Sequence, residues 1–234
     1  MISVFSGVIT IVKAIIIAVY ALIIAILTIL VSPFDSKGRI THYISKIFSK
    51  VILLVSGIKL KVSGLEKIDR DKSYVFVSNH ASYFDIPILM QAIPNNVRFI
   101  YKKSMTKIPI FGWGMYLGQY VPIDRENGRE ALKALRKAAE KVKKGISIVI
   151  FPEGTRSPDG EIKDFKKGLF VLADEAKEDI VPVLIKGSFN IMQKGKYKIN
   201  SARVEVKFFE PVKYSKDKAL LGRIREMLVE EFDK

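Results

Sequence analysis

Residues 74–85 read Tyr74-Val75-Phe76-Val77-Ser78-Asn79-His80-Ala81-Ser82-Tyr83-Phe84-Asp85. The first part is apolar and β-forming. A polar loop follows, and Asp85-Ile86-Pro87 has the composition of a helix start. A strand feeding a loop and then a helix is the unit of an α/β sheet, and such sheets bind ligands at the carboxyl ends of their strands. Outward from this stretch, further strands are predicted at residues 59–62, 97–101, 146–151, 181–185 and 204–208. Helical spacing covers residues 129–144, where Leu132, Leu135, Ala139 and Val142 share one face and basic residues the other. Another helix is expected after Phe165, and a last one over residues 218–232. This alternation predicts an α/β fold with a mostly parallel sheet covered by helices. Pro182, inside one apolar run, points to an edge or a bulge there.

The beginning of the chain has a different composition. Residues 14–31, AIIIAVYALIIAILTILV, carry no charge and are close to the shortest length that spans a bilayer. Lys13 precedes the run and Ser32-Pro33 stops it, without a small-residue cleavage pattern, so a retained helix is expected. Residues 39–58 follow with Arg39, Lys46 and Lys50 among apolar residues at helical spacing, including Tyr43, Ile47, Phe48 and Leu54. Residues 1–58 thus read as a membrane-embedded two-helix hairpin and residues 59–234 as the α/β domain. The hairpin either crosses the bilayer or lies in one leaflet; charge along half of its second helix favours one leaflet. His42, near Arg39, reads as interfacial.

Lysine and arginine number 39 against 24 acidic residues, a net charge of +15, and cysteine is absent. The last fact excludes disulfides, a thiolate nucleophile and cysteine zinc sites. Two histidines with no acidic or cysteine cluster argue against a metal. The positive excess asks for an anionic partner. The apolar beginning favours anionic membrane lipids, and no aromatic-basic or zinc-finger pattern supports nucleic acid.

Two stretches carry chemistry. His80 offers an imidazole, the side chain most often used as a general base, and Asp85 five residues on can fold back onto one ring nitrogen. The pair is the base and orienter of a catalytic triad without a protein nucleophile, which leaves a substrate hydroxyl to attack. The alternative is a helix cap at Asp85 and a loop histidine at His80. The second stretch, Phe151-Pro152-Glu153-Gly154-Thr155-Arg156-Ser157, again follows a buried strand. Gly154 permits close backbone approach, and Arg156 offers a planar fork for phosphate. Lys163, Lys166 and Lys167 follow; an ordinary strand-to-helix loop with surface cations fits the same residues.

Asn79-His80-x4-Asp85, Pro122-Ile123-Asp124-Arg125, Phe151 through Ser157, and Val181-Pro182-Val183 occur in the order and approximate spacing of the four blocks of glycerolipid acyltransferases. Over about residues 59–210 the chain resembles the bacterial 1-acyl-glycerol-3-phosphate acyltransferases. Tyr101 to Trp113 resembles their stretch between the first two blocks, departing at Ser104, where an acidic residue is common. The resemblance implies a glycerol-3-phosphate acyltransferase-like fold and acyl transfer from a thioester to the sn-2 hydroxyl of lysophosphatidic acid. It implies His80 as general base and Asp85 as orienter. It implies Arg125 and Arg156, with Glu153, Gly154 and Thr155, around the phosphate of the acceptor. Glu153 would position hydroxyls or brace an arginine, and Lys102 or Lys103 would contact phosphate or donor. The donor would be acyl-coenzyme A or acyl carrier protein, with no further cofactor. The oxyanion would be held by backbone N–H groups near Ser82, and the setting would be the cytoplasmic face of the inner membrane. Related acyltransfer to glycerol 3-phosphate or another lyso-lipid, and a non-catalytic carrier, remain the alternatives.

Overall fold

In a computed structural model, residues 2–193, 195–196, 198–217 and 219–234 are described. Seven strands form one sheet: β1 (Ile58–Ser63), β2 (Val75–Ser78), β3 (Val97–Lys102), β4 (Val121–Ile123), β5 (Ser147–Ile150), β6 (Ile180–Lys186) and β7 (Ala202–Phe208). The order is β1-β7-β6-β2-β5-β3-β4, and every neighbouring pair is parallel except β6 and β7. Every residue of β2 and β5 is buried, as expected of central parallel strands covered on both faces.

The helices are α1 (Ile2–Val31), α2 (Arg39–Ser56), α3 (Asp85–Ala92), α4 (Phe111–Leu117), α5 (Gly128–Lys143), α6 (Gly168–Ala176) and α7 (Leu220–Phe232). On one face of the sheet Phe76, Val149 and Val181 pack against Ile52 and Leu53 of α2 and Ile88 and Leu89 of α3. On the other, Val75, Val77, Ile148 and Ile150 meet Leu135, Ala138 and Val142 of α5, Leu169 and Leu172 of α6, and Ile224 and Leu228 of α7. The period-2 alternation of the strands divides the core into these two layers.

The expected strands all form, with ends moved by a residue or two. The short β4 was read only as part of a motif, because three residues give too little alternation to detect. The last helix begins at Leu220; Lys218, its expected first residue, lies outside the described residues. Pro182 is on an interior strand, beside β2. It falls where the antiparallel register slips by one residue, since Val183 pairs with Phe208 but Ile180 bridges Val212. Its carbonyl still accepts from the Phe209 N–H at 3.1 Å, so the missing donor lies in the slip rather than in a regular ladder.

α1 extends well before the uncharged run read from the sequence. Among the described residues, Gly7–Phe34 holds the one helix long and apolar enough to cross a membrane, and only 11% of its most apolar window is buried. That exposure separates it from a core helix and suggests membrane association. Pro33 lies in a 3₁₀ turn that ends α1. α2 returns alongside: Tyr20 packs on Phe48 at 5.7 Å, and Lys13 Nζ donates to the Ser56 carbonyl at 3.2 Å. A cation in an apolar helix is thereby used on an orphan carbonyl at the end of its partner.

The turn between the two helices is fastened to the domain by Arg98, which is fully buried. Its Nε donates to Gly118 O (2.6 Å). Nη1 donates to Asn96 Oδ1 (3.0 Å) and Val97 O (2.8 Å), and Nη2 to Gly38 O (2.5 Å) and Thr41 Oγ1 (2.9 Å). All five donors of the guanidinium are thus placed on hairpin, β3 and the end of α4. Gly38 has φ +64°, and a Cβ there would lie 2.3 Å from Arg98 Nη2. His42 is corrected from an interfacial residue to a buried one: its Nδ1 accepts from the Val97 N–H at 3.4 Å. Burial, with Arg98 and Lys46 adding like charge, pushes its pKa down to about 3, so the ring is neutral.

Candidate active site

β2 and β5 are adjacent and parallel, so the loops after Ser78 and Ile150 emerge side by side at one edge of the sheet. β3 and β4 lie next to them and carry Lys102 and Arg125 to the same edge. Four segments scattered through the sequence converge for this topological reason.

Asn79 fixes the start of the first loop. Its Nδ2 donates to Ile185 O and its Oδ1 accepts from the Ile185 N–H, both at 2.9 Å, which continues the β2–β6 ladder through a side chain. The chain then curls around Asp85. One oxygen, Asp85 Oδ2, receives the Ala81 N–H (2.7 Å), the Ser82 N–H (2.8 Å) and His80 Nδ1 (2.8 Å). Asp85 is fully buried, and its other oxygen has no hydrogen-bond partner among the described residues. Asp85 is also the first residue of α3, but it is not the N-cap; that position is Phe84. The carboxylate fixes Nδ1 as the protonated nitrogen and leaves Nε2 as the acceptor. The His80 ring stacks on Phe151 at 4.0 Å, with 15° between the planes. Between carboxylate and phenyl face the imidazole has one orientation, and no described group of the protein hydrogen-bonds to Nε2.

The backbone N–H groups of Ala81 and Ser82 are engaged by Asp85, which corrects their expected use on an oxyanion. Glu153 is corrected as well. Its Oε1 accepts the His80 N–H at 2.7 Å and its Oε2 the Lys163 N–H at 3.2 Å, so among the described residues it is bonded to backbone and not to an arginine. It is 3% exposed, and burial raises its pKa to about 7 against the opposing effect of those two N–H groups. Glu153 ties the two loops together, and the Ser157 N–H adds a second tie to His80 O at 2.7 Å.

Arg156 lies over Tyr83, its Cζ 3.4 Å from the ring centroid, and its buried Nη1 has no hydrogen-bond partner among the described residues. Arg125 donates from Nη1 to the Gly154 carbonyl. Gly154 has φ +73°, and Lys166 lies over it, 3.0 Å from where a Cβ would be. Thr155 is exposed on the same loop. Lys102 is exposed at the end of β3, opposite Ile123; Lys103 is turned toward Asp124 and Glu130 at 3.9 and 4.0 Å. Sequence reading missed Phe151 as the stacking partner of His80 and Tyr83 as that of Arg156. Their position within the two motifs was the available signal.

Behind Asp85 a cavity of about 170 Å³ opens between α1, α2, α3 and α4. Ile24, Phe48, Ile86, Met90, Phe99 and Met115 are among its lining residues, so it is apolar and partly walled by the hairpin. Phe99 joins it to the site through Phe151, their centroids 6.4 Å apart. The arrangement provides an oriented proton acceptor, a cationic loop and an apolar chamber side by side.

A model of a family described as acyltransferase matches residues 59–186. The chloroplastic 1-acyl-sn-glycerol-3-phosphate acyltransferase of Arabidopsis thaliana is 35% identical over 207 residues, which is 88% of this chain and 57% of that protein. The 1-acyl-sn-glycerol-3-phosphate acyltransferase of Saccharomyces cerevisiae is 32% identical, over 80% of this chain and 64% of that one. The crystal structure of the 1-acyl-sn-glycerophosphate acyltransferase of Thermotoga maritima superposes with a TM-score of 0.87 at 27% identity, covering 100% of this chain and 97% of that one. The chain spans between about half and two thirds of the length of the curated relatives quoted.

Proposed function

The chain belongs to the acyltransferase family, and from that premise we propose that it transfers a fatty acyl group from an acyl thioester to the sn-2 hydroxyl of lysophosphatidic acid, giving phosphatidic acid. The observation that carries the reading is the His80–Asp85 pair at 2.8 Å, with Nε2 left to accept a proton. In this mechanism Nε2 takes the proton of the acceptor hydroxyl as its oxygen attacks the thioester carbonyl. The C–O bond forms, the tetrahedral intermediate collapses, and the C–S bond breaks. The imidazolium, held by Asp85, returns the proton to the leaving thiolate. No protein nucleophile is needed.

The acceptor phosphate sits on Arg156 and Arg125. The unpartnered, buried Nη1 of Arg156 supports this role, since a desolvated guanidinium N–H calls for an anionic acceptor. Gly154 and Thr155 shape the loop, and Lys102 contributes from the end of β3. Glu153 acts as a positioning residue for the His80 backbone. Residues 1–58 form a hairpin embedded in one leaflet at the cytoplasmic face of the inner membrane, next to the α/β domain of residues 59–234. Exposed Tyr43, Ile47 and Leu54 on α2 and the charge on its other residues support one leaflet over a crossing. Anionic lipids hold the basic surface, and acyl-coenzyme A or acyl carrier protein supplies the donor.

The test is an assay of purified protein offering both donors against lysophosphatidic acid and glycerol 3-phosphate, with His80→Ala beside it. Phosphatidic acid formed by the wild type and lost in the variant, with lipid binding kept, is the expected result. A variant as active as the wild type moves the base elsewhere, and a wild type that binds lipid but forms no product with either donor makes the protein a carrier.

A further inference from the structure

The α/β domain has an apolar surface of its own next to α1. After the 3₁₀ turn Lys103–Lys107, helix α4 crosses the second half of α1 at close range. The approach is made possible by glycines: a Cβ at Gly114 would lie 3.0 Å from Ala25, and one at Gly118 3.3 Å from Thr28. With that face of α4 against α1, its other face exposes Trp113 (57%) and Tyr116 (65%) with Leu117, and Ile108 is exposed just before the helix. Trp113, Tyr116 and Leu117 line a shallow depression with Thr106 and Gly112. Lys107, next in sequence to Thr106, is exposed; Lys103 is turned toward Asp124 and Glu130.

We propose that the 103–117 segment is a third membrane-contacting element, seated in the headgroup layer of an anionic bilayer beside α1. The occupant is identified by continuity and by charge. α4 packs directly on the helix whose exposed Leu22, Ile26 and Leu30 suggest membrane association, so both surfaces meet the same phase. Tryptophan and tyrosine favour the headgroup level because one end of each is apolar and the other polar, and lysines beside them reach anionic headgroups. Phe111, Gly114 and Met115 of the same segment line the apolar cavity, so this contact holds the cavity wall at the lipid boundary. The proposal rests on the membrane reading of α1 but concerns a different part of the chain.

Trp113 is the sole tryptophan, so its emission reports on this segment alone. The full chain is reconstituted with vesicles of phosphatidylcholine and phosphatidylglycerol in equal amounts, and bound protein is measured independently by flotation. The expected result is an emission shifted to the blue and shielded from aqueous iodide. It is quenched more strongly by a spin label near the head of the acyl chain than by one near its methyl end. Leu117→Asp should restore iodide access while the protein still floats. Protein that floats with Trp113 open to iodide and untouched by the lipid labels overturns the proposal and leaves the hairpin anchored. Shielding from iodide without lipid quenching also overturns it, in favour of a second copy over this face. Failure to float removes the membrane reading and the proposal together.

Discussion

Replacing Asp85 by asparagine isolates what its charge does. Asp85 Oδ2 accepts from the Ala81 and Ser82 N–H groups and from His80 Nδ1. Two fixed backbone donors require an oxygen at that position, so the asparagine carbonyl takes it and the amide turns to the side of Oδ1. That oxygen has no hydrogen-bond partner among the described residues, so the amide breaks no bond seen there. The imidazole keeps its orientation and tautomer but loses the negative charge. For full charges separated by the observed 2.8 Å and an effective dielectric of about 20, the attraction is roughly 6 kcal/mol. A proton roughly half transferred at the transition state then leaves about 3 kcal/mol at stake, or about 150-fold in rate. The expected outcome is a kcat lowered by about two orders of magnitude with KM for lysophosphatidic acid little changed. The assay follows phosphatidic acid formation at saturating donor, with far-ultraviolet circular dichroism confirming the fold. A variant within a few-fold of the wild type would refute the assignment of Asp85 as the group that stabilises the charged imidazole.

Further outcomes follow from neighbouring groups. Arg156→Lys loses the flat guanidinium over Tyr83 and its fork geometry, so KM for lysophosphatidic acid should rise by about tenfold, equivalent to about 1.4 kcal/mol, with a smaller change in kcat. Steady-state kinetics in the two variables separates this from a loss of folding. Glu153 has its pKa raised to about 7 by burial, so its contribution to stability is complete below the ordinary carboxylate range and is lost as pH rises through about 7. Glu153→Gln should therefore flatten the fall in melting temperature between mildly acidic and neutral pH; an identical fall in both proteins would mean that another group titrates. Arg98→Met removes five donors from buried acceptors and should lower stability by about 3 kcal/mol or more, measured by denaturant unfolding in detergent. Arg98→Lys, with three donors in place of five, should recover only part of it.

The alternation of apolar runs with polar loops was enough to anticipate six of the seven strands, several of the covering helices and the long apolar first helix, because period and length are local properties of the chain. His80, Asp85 and Arg156 stand out in the sequence as candidates because each sits just past the end of a strand or inside a short loop, and Arg125 is added only by the resemblance to the glycerolipid acyltransferases. Strand order is a different matter. Nothing local says that β5 lies beside β2, yet only that adjacency brings the 79–85 and 151–157 loops into contact. The hydrogen bond of Glu153 to the His80 N–H, 73 positions away in sequence, followed from that contact. Nothing in the sequence singles out Arg98, and His42 reads there as interfacial. Both are buried because the hairpin folds back onto β3, and long-range packing of this kind leaves no periodicity to read. Composition and spacing determined which groups the chain possesses; tertiary structure decided which of them face one another, because hydrogen bonds and desolvation depend on distances that sequence separation does not set.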